Sequence, residues 1–396
     1  MINPAKTCSG AQKKYCIPVK VLLYYKWSLM PAKKIIIREE ISMKKLLSML
    51  LVLMMAFSVV AYADGATYEI ALVTDVGNID DKSFNEGCWI GVKQYAEANG
   101  ISYNYYRPSE DSTEARVETI KGAIEKGAKT VVCPGFLFEE TVYEVQGQYP
   151  DVNFLLIDGE PHDAAYNYET KPNVVNILFQ EEQAGYLAGY AAVKDGYTSL
   201  GFLGGMSVPA VIRFGYGFVQ GADAAAAEMD VDVDIKYWYC GVFTPNDDIK
   251  VKMDSWYAEG TEVVFACGGS IYLSALQAAT EAGGVLIGVD KDQSYESDLI
   301  ITSAMKGLTE SVVYSLTRLY ENDGVWPEDM AGATTVLGAA NDAVGLPTAE
   351  ESWRLDTYTV EEYETLFAAI KNGEVVVSNA VDVAPTTVKA VVDYQE

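Results

Sequence analysis

The sequence predicts an α/β protein built as two doubly wound parallel-sheet lobes joined by a hinge. Three observations carry this: short apolar runs alternate with amphipathic segments from residue 68 onward, the alternation runs through twice, and several apolar runs end on Asp or Gly. Each amphipathic segment must bury its apolar stripe, and a parallel sheet covered on both faces by helices satisfies all of them at once.

The first series opens with a strand over 68–73 and a helix over 83–99, which presents Trp89, Val92 and Ala96 on one face and stops at Gly100. A strand over 102–106 follows, then a helix over 114–126 with Val117, Ile120 and Ile124 inward and Gly127 as its stop. A strand over 130–133, a helix over 138–148 and strands over 152–157 and 174–179 complete the first lobe. The second series alternates helices over 181–194, 209–229, 247–258 and 271–282 with strands over 199–203, 231–239, 262–266 and 285–289. The run 300–303 reads as the return toward the first lobe, and 309–320 reads as a helix. Residues 64–178 with about 291–308 are therefore assigned to the first lobe, and 179–290 with about 309–396 to the second.

Ahead of these lobes, Lys44 and Lys45 precede the apolar run 46–60, which ends at Ala61-Tyr62-Ala63. A basic start, a short apolar stretch and small residues at the end are the marks of a secretory signal. The run falls short of the roughly 20 apolar residues that a spanning helix needs. Residues 43–63 are read as a signal peptide cleaved after Ala63, and residues 1–42 as a start-site artefact. An exported mature chain, periplasmic or extracellular and not embedded in a membrane, is expected.

Taking the ten basic and two acidic side chains of residues 1–63 from the totals of 29 and 56 leaves 19 and 54, a formal net charge of −35 over 333 residues. Nucleic acid is a poor partner for such a surface, because its phosphates require Lys and Arg clusters. Four cysteines remain, Cys88, Cys133, Cys240 and Cys267, with no C-x-x-C pair. Cys133 and Cys267 end strand-like runs and are read as small apolar fillers. Disulfides stay open, since spacing cannot order the connectivities.

Chemistry concentrates after the strands. Asp75 follows the first strand, Gly77 permits a turn, and Ser83 with Glu86 reads as a capping box for the next helix, in whose first turn Phe84 and Asn85 lie. Asp158 and Asp290 close two further strands, and Gly268-Gly269 another. A lone Asp at such a place is usually a turn former. Three of them suit hydroxyl groups that donate, while a Phe face suits a flat ring.

Catalysis finds little support. His162 is the only histidine, which leaves triads no other base, and it is read as a surface loop residue in the polar stretch 161–168. The chain has no G-x-x-x-x-G-K-[ST] motif. Gly215-Tyr216-Gly217 falls within a helix and is read as a packing surface. Asp230, Asp232 and Asp234 resemble the start of a calcium loop, but Ile235 and Gly241 stand where Gly and Glu are required, so an acidic strand face is the reading. No metal and no cofactor are expected.

The motifs Leu72-Val73-Thr74-Asp75-Val76-Gly77, Asp80-Asp81-Lys82-Ser83-Phe84-Asn85, Pro134-Gly135-Phe136-Leu137-Phe138, Tyr149-Pro150-Asp151, Tyr186-Leu187-Ala188-Gly189, Gly201-Phe202-Leu203-Gly204-Gly205-Met206 and Gly288-Val289-Asp290-Lys291-Asp292-Gln293 resemble those of the basic membrane protein family of substrate-binding proteins, over about residues 68–306. The resemblance implies a type I periplasmic-binding-protein fold and delivery of a nucleoside, purine preferred, to an ABC transporter permease; a monomer is expected. It further implies that Asp75 and Asn85 contact a base, that Phe84 and Phe243 stack on its two faces, and that Asp158, Asp290 and Lys306 bind the ribose side with Gly269 adding backbone. The chain departs from the family at Cys267-Gly268-Gly269-Ser270-Ile271-Tyr272, where a glycine is lost and Tyr272 enters, so a sugar or signalling metabolite stays an alternative ligand. A nucleoside hydrolase is the remote alternative, since carboxylate clusters also serve glycosidic cleavage. No cysteine lies between Cys16 and Cys88, so the lipid anchor common in the family is not expected.

Overall fold

Runs such as Ile-Ala-Leu-Val and Val-Val-Phe-Ala-Cys have no polar face, and in the computed structural model, which describes residues 67–396, they form strands buried on both sides. The expected artefact and signal peptide, 1–63, lie outside the described residues.

The first series gives β1 (Ile70–Val73), α1 (Phe84–Asn99), β2 (Tyr103–Tyr106), α2 (Thr113–Glu125), β3 (Thr130–Pro134), α3 (Glu139–Gln146), β4 (Asn153–Ile157) and β5 (Val174–Phe179). The second gives α4 (Glu181–Lys194), β6 (Ser199–Gly204), α5 (Pro209–Met229), β7 (Val233–Tyr239), α6 (Asp247–Ala258), β8 (Val263–Cys267), α7 (Tyr272–Ala282), β9 (Val285–Asp290) and β10 (Ile300–Lys306). After these come α8 (Leu308–Glu321), β11 (Thr334–Leu337), β12 (Val344–Gly345), α9 (Val360–Lys371) and β13 (Ala390–Gln395).

The strands form two sheets, β11-β5-β4-β3-β1-β2 and β12-β10-β9-β8-β6-β7-β13, parallel throughout except for the β10–β12 pair. Each sheet carries the order 2-1-3-4-5 when its own strands are counted from its start. The order therefore reverses between β1 and β3 in one lobe and between β6 and β8 in the other, and crevices for ligands open at such switch points.

The lobe boundaries differ from the expectation. β10 stays in the second sheet, in parallel register with β9 from Leu286 to Asp290, so 300–306 does not return to the first lobe. The return comes one residue later. α8 packs on α1, where a Cβ on Gly87 would stand 2.8 Å from Leu308 and one on Gly91 2.8 Å from Val312. β11 then joins β5 in the first sheet before β12 goes back to the second. The chain thus crosses between the lobes three times, near 179–181, 306–308 and 337–339. An amphipathic helix such as α8 fits either lobe by its pattern, so only the packing decides.

Gly215-Tyr216-Gly217 lies in α5 and packs as expected. A Cβ on Gly217 would fall 2.1 Å from the Glu182 carbonyl oxygen, and one on Gly189 2.1 Å from that of Phe218, so α4 and α5 touch backbone to backbone. Among the described residues no helix is long and apolar enough to cross a membrane.

Candidate functional site

The two switch points face one another. Asp75 after β1, Gly135 and Phe136 after β3, Val208 and Pro209 after β6, and Gly268 and Gly269 after β8 all line one cavity of about 190 Å³ between the sheets. A single water needs about 10–15 Å³ on this measure, so the space is more than ten times that minimum. That suits one small molecule. All eight residues singled out from the sequence, Asp75, Phe84, Asn85, Asp158, Phe243, Gly269, Asp290 and Lys306, line it.

At one end, Asp75 Oδ1 accepts from Gly77 N at 2.6 Å and from Asn85 Nδ2 at 2.8 Å. Asn85 Nδ2 also donates to Asp81 Oδ2 at 3.0 Å, so both of its amide hydrogens are used within the protein. Asn85 therefore orients two carboxylates. Asp81 does the capping expected of Ser83: its Oδ1 accepts from Ser83 N and Glu86 N, and its Oδ2 from Asn85 N. Ser83 makes no cap bond and instead donates to Asp290 Oδ2 at 2.5 Å, across to the other lobe. The capping pattern S-x-x-E was present, but Asp81 two residues upstream competes for the same N–H groups. Asp75 touches the open cavity yet is otherwise enclosed, and that burial raises its carboxyl above the usual range. Burial raises Asp81 too, to about 6, against the opposing hydrogen bonds from Asn85, Glu86 and Ser83.

At the other end, Lys306 closes β10 at the second crossover. Its ammonium bonds Asp158 Oδ2 from the first lobe, lies 3.4 Å from Glu181 and 3.8 Å from Asp290, and sits 4.8 Å from the centre of the Phe84 ring. Desolvation alone would lower the ammonium, but Asp158, Glu181 and Asp290 outweigh it and hold Lys306 above the lysine range. Desolvation likewise lifts Asp158 and Asp290, with Lys306 as the main opposing charge. Asp158 and Asp290 both adopt the left-handed conformation, at φ 59° and 67°, which turns their side chains sharply off the strand ends. Asp158 Oδ1 is buried and has no partner.

Phe243 is seated by missing side chains. A Cβ on Gly205 would lie 2.4 Å from its ring, one on Gly268 2.9 Å, and one on Gly269 2.7 Å from its carbonyl oxygen, while Ser270 N donates to that oxygen at 3.0 Å. Gly269 thus shapes the seat of Phe243 as well as the cavity wall. Tyr272 turns away from the cavity: it is buried in the second lobe and its hydroxyl bonds Glu296 at 3.1 Å.

Several lining residues escaped the sequence reading. Arg213, whose Nε pairs with Glu181 at 2.6 Å, comes from inside α5 and carries no motif. Asp81 stood within a quoted motif but had no role assigned. Glu139 and Glu160 line the cavity beside Gly159. His162 is a correction: it is buried, 5% exposed, with Nε2 3.2 Å from Glu139 Oε2, because Tyr166 and Tyr168 fold over it from the same polar stretch. The four described cysteines are free thiols, three of them buried, and Cys267 lies on the cavity wall.

A model of the family described as ABC transporter substrate-binding protein, PnrA-like, matches residues 69–380. The chain belongs to that family. The match runs well past residue 306 and takes in both the return to the first lobe and most of the C-terminal segment. Among curated relatives, this PnrA-like protein is 28% identical over 259 residues to the ABC transporter nucleoside-binding protein BmpA of Lactococcus lactis subsp. cremoris, covering 60% of this chain and 70% of that one. It is 31% identical over 249 residues to basic membrane protein A1 of Borrelia garinii subsp. bavariensis, covering 62% and 70%. It is 28% identical over 323 residues to the CD4+ T-cell-stimulating antigen of Listeria monocytogenes, covering 75% and 85%. In structure it is similar to an ABC transporter solute-binding protein of Aeropyrum pernix K1, with a TM-score of 0.69, 22% identity and coverage of 80% and 94%. A solute-binding protein of Conexibacter woesei gives 0.61, 20%, 79% and 99%. These likenesses agree with the paired 2-1-3-4-5 sheets in giving the PnrA-like chain the type I periplasmic-binding-protein fold. A substrate-binding protein presents its ligand to a transporter and does no chemistry on it.

Proposed function

We propose that this protein captures a nucleoside, purine preferred, between its lobes and delivers it to an ABC importer outside the cytoplasm. The observation that carries the reading is the pairing of unlike chemistries in one cavity: Phe84 from one lobe and Phe243 from the other, with the unpartnered Asp158 Oδ1 beside Lys306. Two aromatic faces suit a planar base. A buried carboxylate oxygen without a partner suits a ribose hydroxyl, which is both a good donor and neutral. The relative in Lactococcus lactis is named a nucleoside-binding protein, which supports the same ligand class.

In this reading Asp75 accepts from the base, Asn85 holds Asp75 in place, Phe84 and Phe243 stack, and Asp158, Asp290 and Lys306 bind the ribose side with Gly269 at the wall. Closure of the lobes about the three crossovers buries the ligand. The mature chain acts as a monomer without nucleic acid, metal or cofactor. Isothermal titration with inosine, guanosine, adenosine and free sugars tests the ligand. Heat from the purine nucleosides with none from sugars is expected, and no heat from any nucleoside overturns it.

A further inference from the structure

Behind the first-lobe wall of the cavity, a buried histidine meets the lining residue Glu139 in a relation that fixes a proton count. His162 Nδ1 lies 2.7 Å from the carbonyl oxygen of Asp163, and a carbonyl only accepts, so Nδ1 carries a hydrogen. Nε2 lies 3.2 Å from Glu139 Oε2. If His162 were neutral and Glu139 ionised, an imidazole lone pair would face a carboxylate with nothing between them. The contact is a hydrogen bond only when one further proton resides on Nε2 or on Glu139. Glu139 is itself fixed: Oε1 accepts from Glu160 N at 2.9 Å, and its stem packs on Gly159, where a Cβ would be 2.9 Å away.

The ring of His162 also supports the cavity mouth. Tyr166 stacks on it at 4.7 Å and Tyr168 meets it edge-on at 5.0 Å, though both tyrosines are exposed, 70% and 60%. Glu139 and Tyr168 both line the cavity. The titratable groups around the pair are Glu139 on α3 and, on its own segment, Glu160, Asp163, Tyr166 and Tyr168. From β11, Thr334 Oγ1 donates to Glu160 Oε1 at 2.6 Å and carries no charge.

We infer that His162 is a positioning residue for the ligand cavity: one proton shared between its Nε2 and Glu139 holds Glu139 and Tyr168 in the wall, and loss of that proton at higher pH releases them. Nothing in this needs a bound ligand, although its effect on affinity rests on the nucleoside reading. Burial, which raises Glu139 above the usual carboxylate range, favours keeping the proton within the pair.

Because the chain has one histidine, NMR reads His162 without ambiguity. Nitrogen shifts at high pH are expected to show the Nδ1–H tautomer, with the hydrogen on the nitrogen that faces the Asp163 carbonyl. The cross-relaxation peak between His162 and the Tyr168 ring is expected to fade above the midpoint of the C2–H titration. An Nε2–H tautomer, or a His162–Tyr168 peak that persists unchanged, overturns the assignment. Inosine titrated from about pH 5 to about pH 8 is expected to bind roughly three- to tenfold more weakly above the midpoint. His162→Gln, whose amide donates without titrating, is expected to lose that part of the decline while the part due to Asp81 remains; an equal decline in the variant overturns the link. A flat profile in the unmodified protein overturns the link to affinity. Absence of inosine heat at every pH overturns the nucleoside reading, and the NMR results still decide the proton.

Discussion

Lys306, the last residue of a second-sheet strand, bonds Oδ2 of Asp158, the first residue after a first-sheet strand, while Asp158 Oδ1 is buried with no partner. One oxygen is paired within the protein, and in the proposed reading the other accepts from a ligand hydroxyl. Asp158→Ala is therefore expected to weaken inosine binding by at least about 1.5 kcal/mol, roughly tenfold or more in Kd, through loss of a charge-assisted bond. Calorimetry that finds unchanged affinity removes Asp158 from the site.

Phe243 depends on glycines for its position. Gly205→Ala brings a methyl within 2.4 Å of its ring, so the ring must move. Nucleoside affinity is expected to fall about tenfold, with a stability cost of about 1–3 kcal/mol for the overpacked contact. Calorimetry and denaturant unfolding on the same variant separate the two effects, and normal affinity places Phe243 away from the ligand.

Ser83→Ala is expected to act on closure rather than on the helix it precedes. Asp81 caps that helix, whereas Ser83 joins the lobes through Asp290. Leaving a buried carboxylate oxygen unpaired costs about 1–3 kcal/mol, so ligand affinity falls while the helical signal in circular dichroism stays. Loss of helicity would show that Ser83 caps after all.

Glu182 gives a dependence on pH. It is buried, its Oε2 has no partner, and desolvation raises its carboxyl to about 7 from 4.5. The folded state then binds more protons than the unfolded state between those values, so stability falls as pH rises from about 4.5 to about 7. The full shift corresponds to about 3 kcal/mol as an upper bound. Glu182→Gln is expected to flatten that part of the profile and to raise the unfolding midpoint at pH 8. A decline of the same size in the variant assigns the effect elsewhere.

The contact of α4 with α5 tolerates no side chain. Gly189→Ala puts a Cβ 2.1 Å from the Phe218 carbonyl, and a loss of about 2–4 kcal/mol in denaturant unfolding is expected, because backbone on both sides must give way. Stability within about 0.5 kcal/mol of the unmodified protein contradicts that packing.

Much of this site was legible in the sequence because the topology puts it where strands end. Asp75, Asp158, Asp290 and Gly269 each follow or close an apolar run, and that position alone sends them to the crevice. Residues in the middle of helices carry no such mark, so Arg213 went unnoticed. His162 was misplaced because a polar stretch normally lies on the surface, and here two tyrosines of that stretch cover it. The division of 291–396 between lobes was illegible for a different reason: β10 and α8 have the composition of any strand and helix, β10 simply pairs with the preceding strand β9, and α8 is drawn to the first lobe by α1, which lies far back in the sequence.

The three crossovers govern the order in which the molecule can be completed. Neither sheet is made of one continuous stretch of chain: the first lacks β11 until residues 334–337 exist, and the second lacks β13 until 390–395. Trp256, buried in the second lobe, finds the partner for its indole N–H in Gln395, one residue from the end. During synthesis the first sheet stays unfinished until residue 337 has emerged and the second until residue 395, so removing β13 leaves β7 with an unpaired edge.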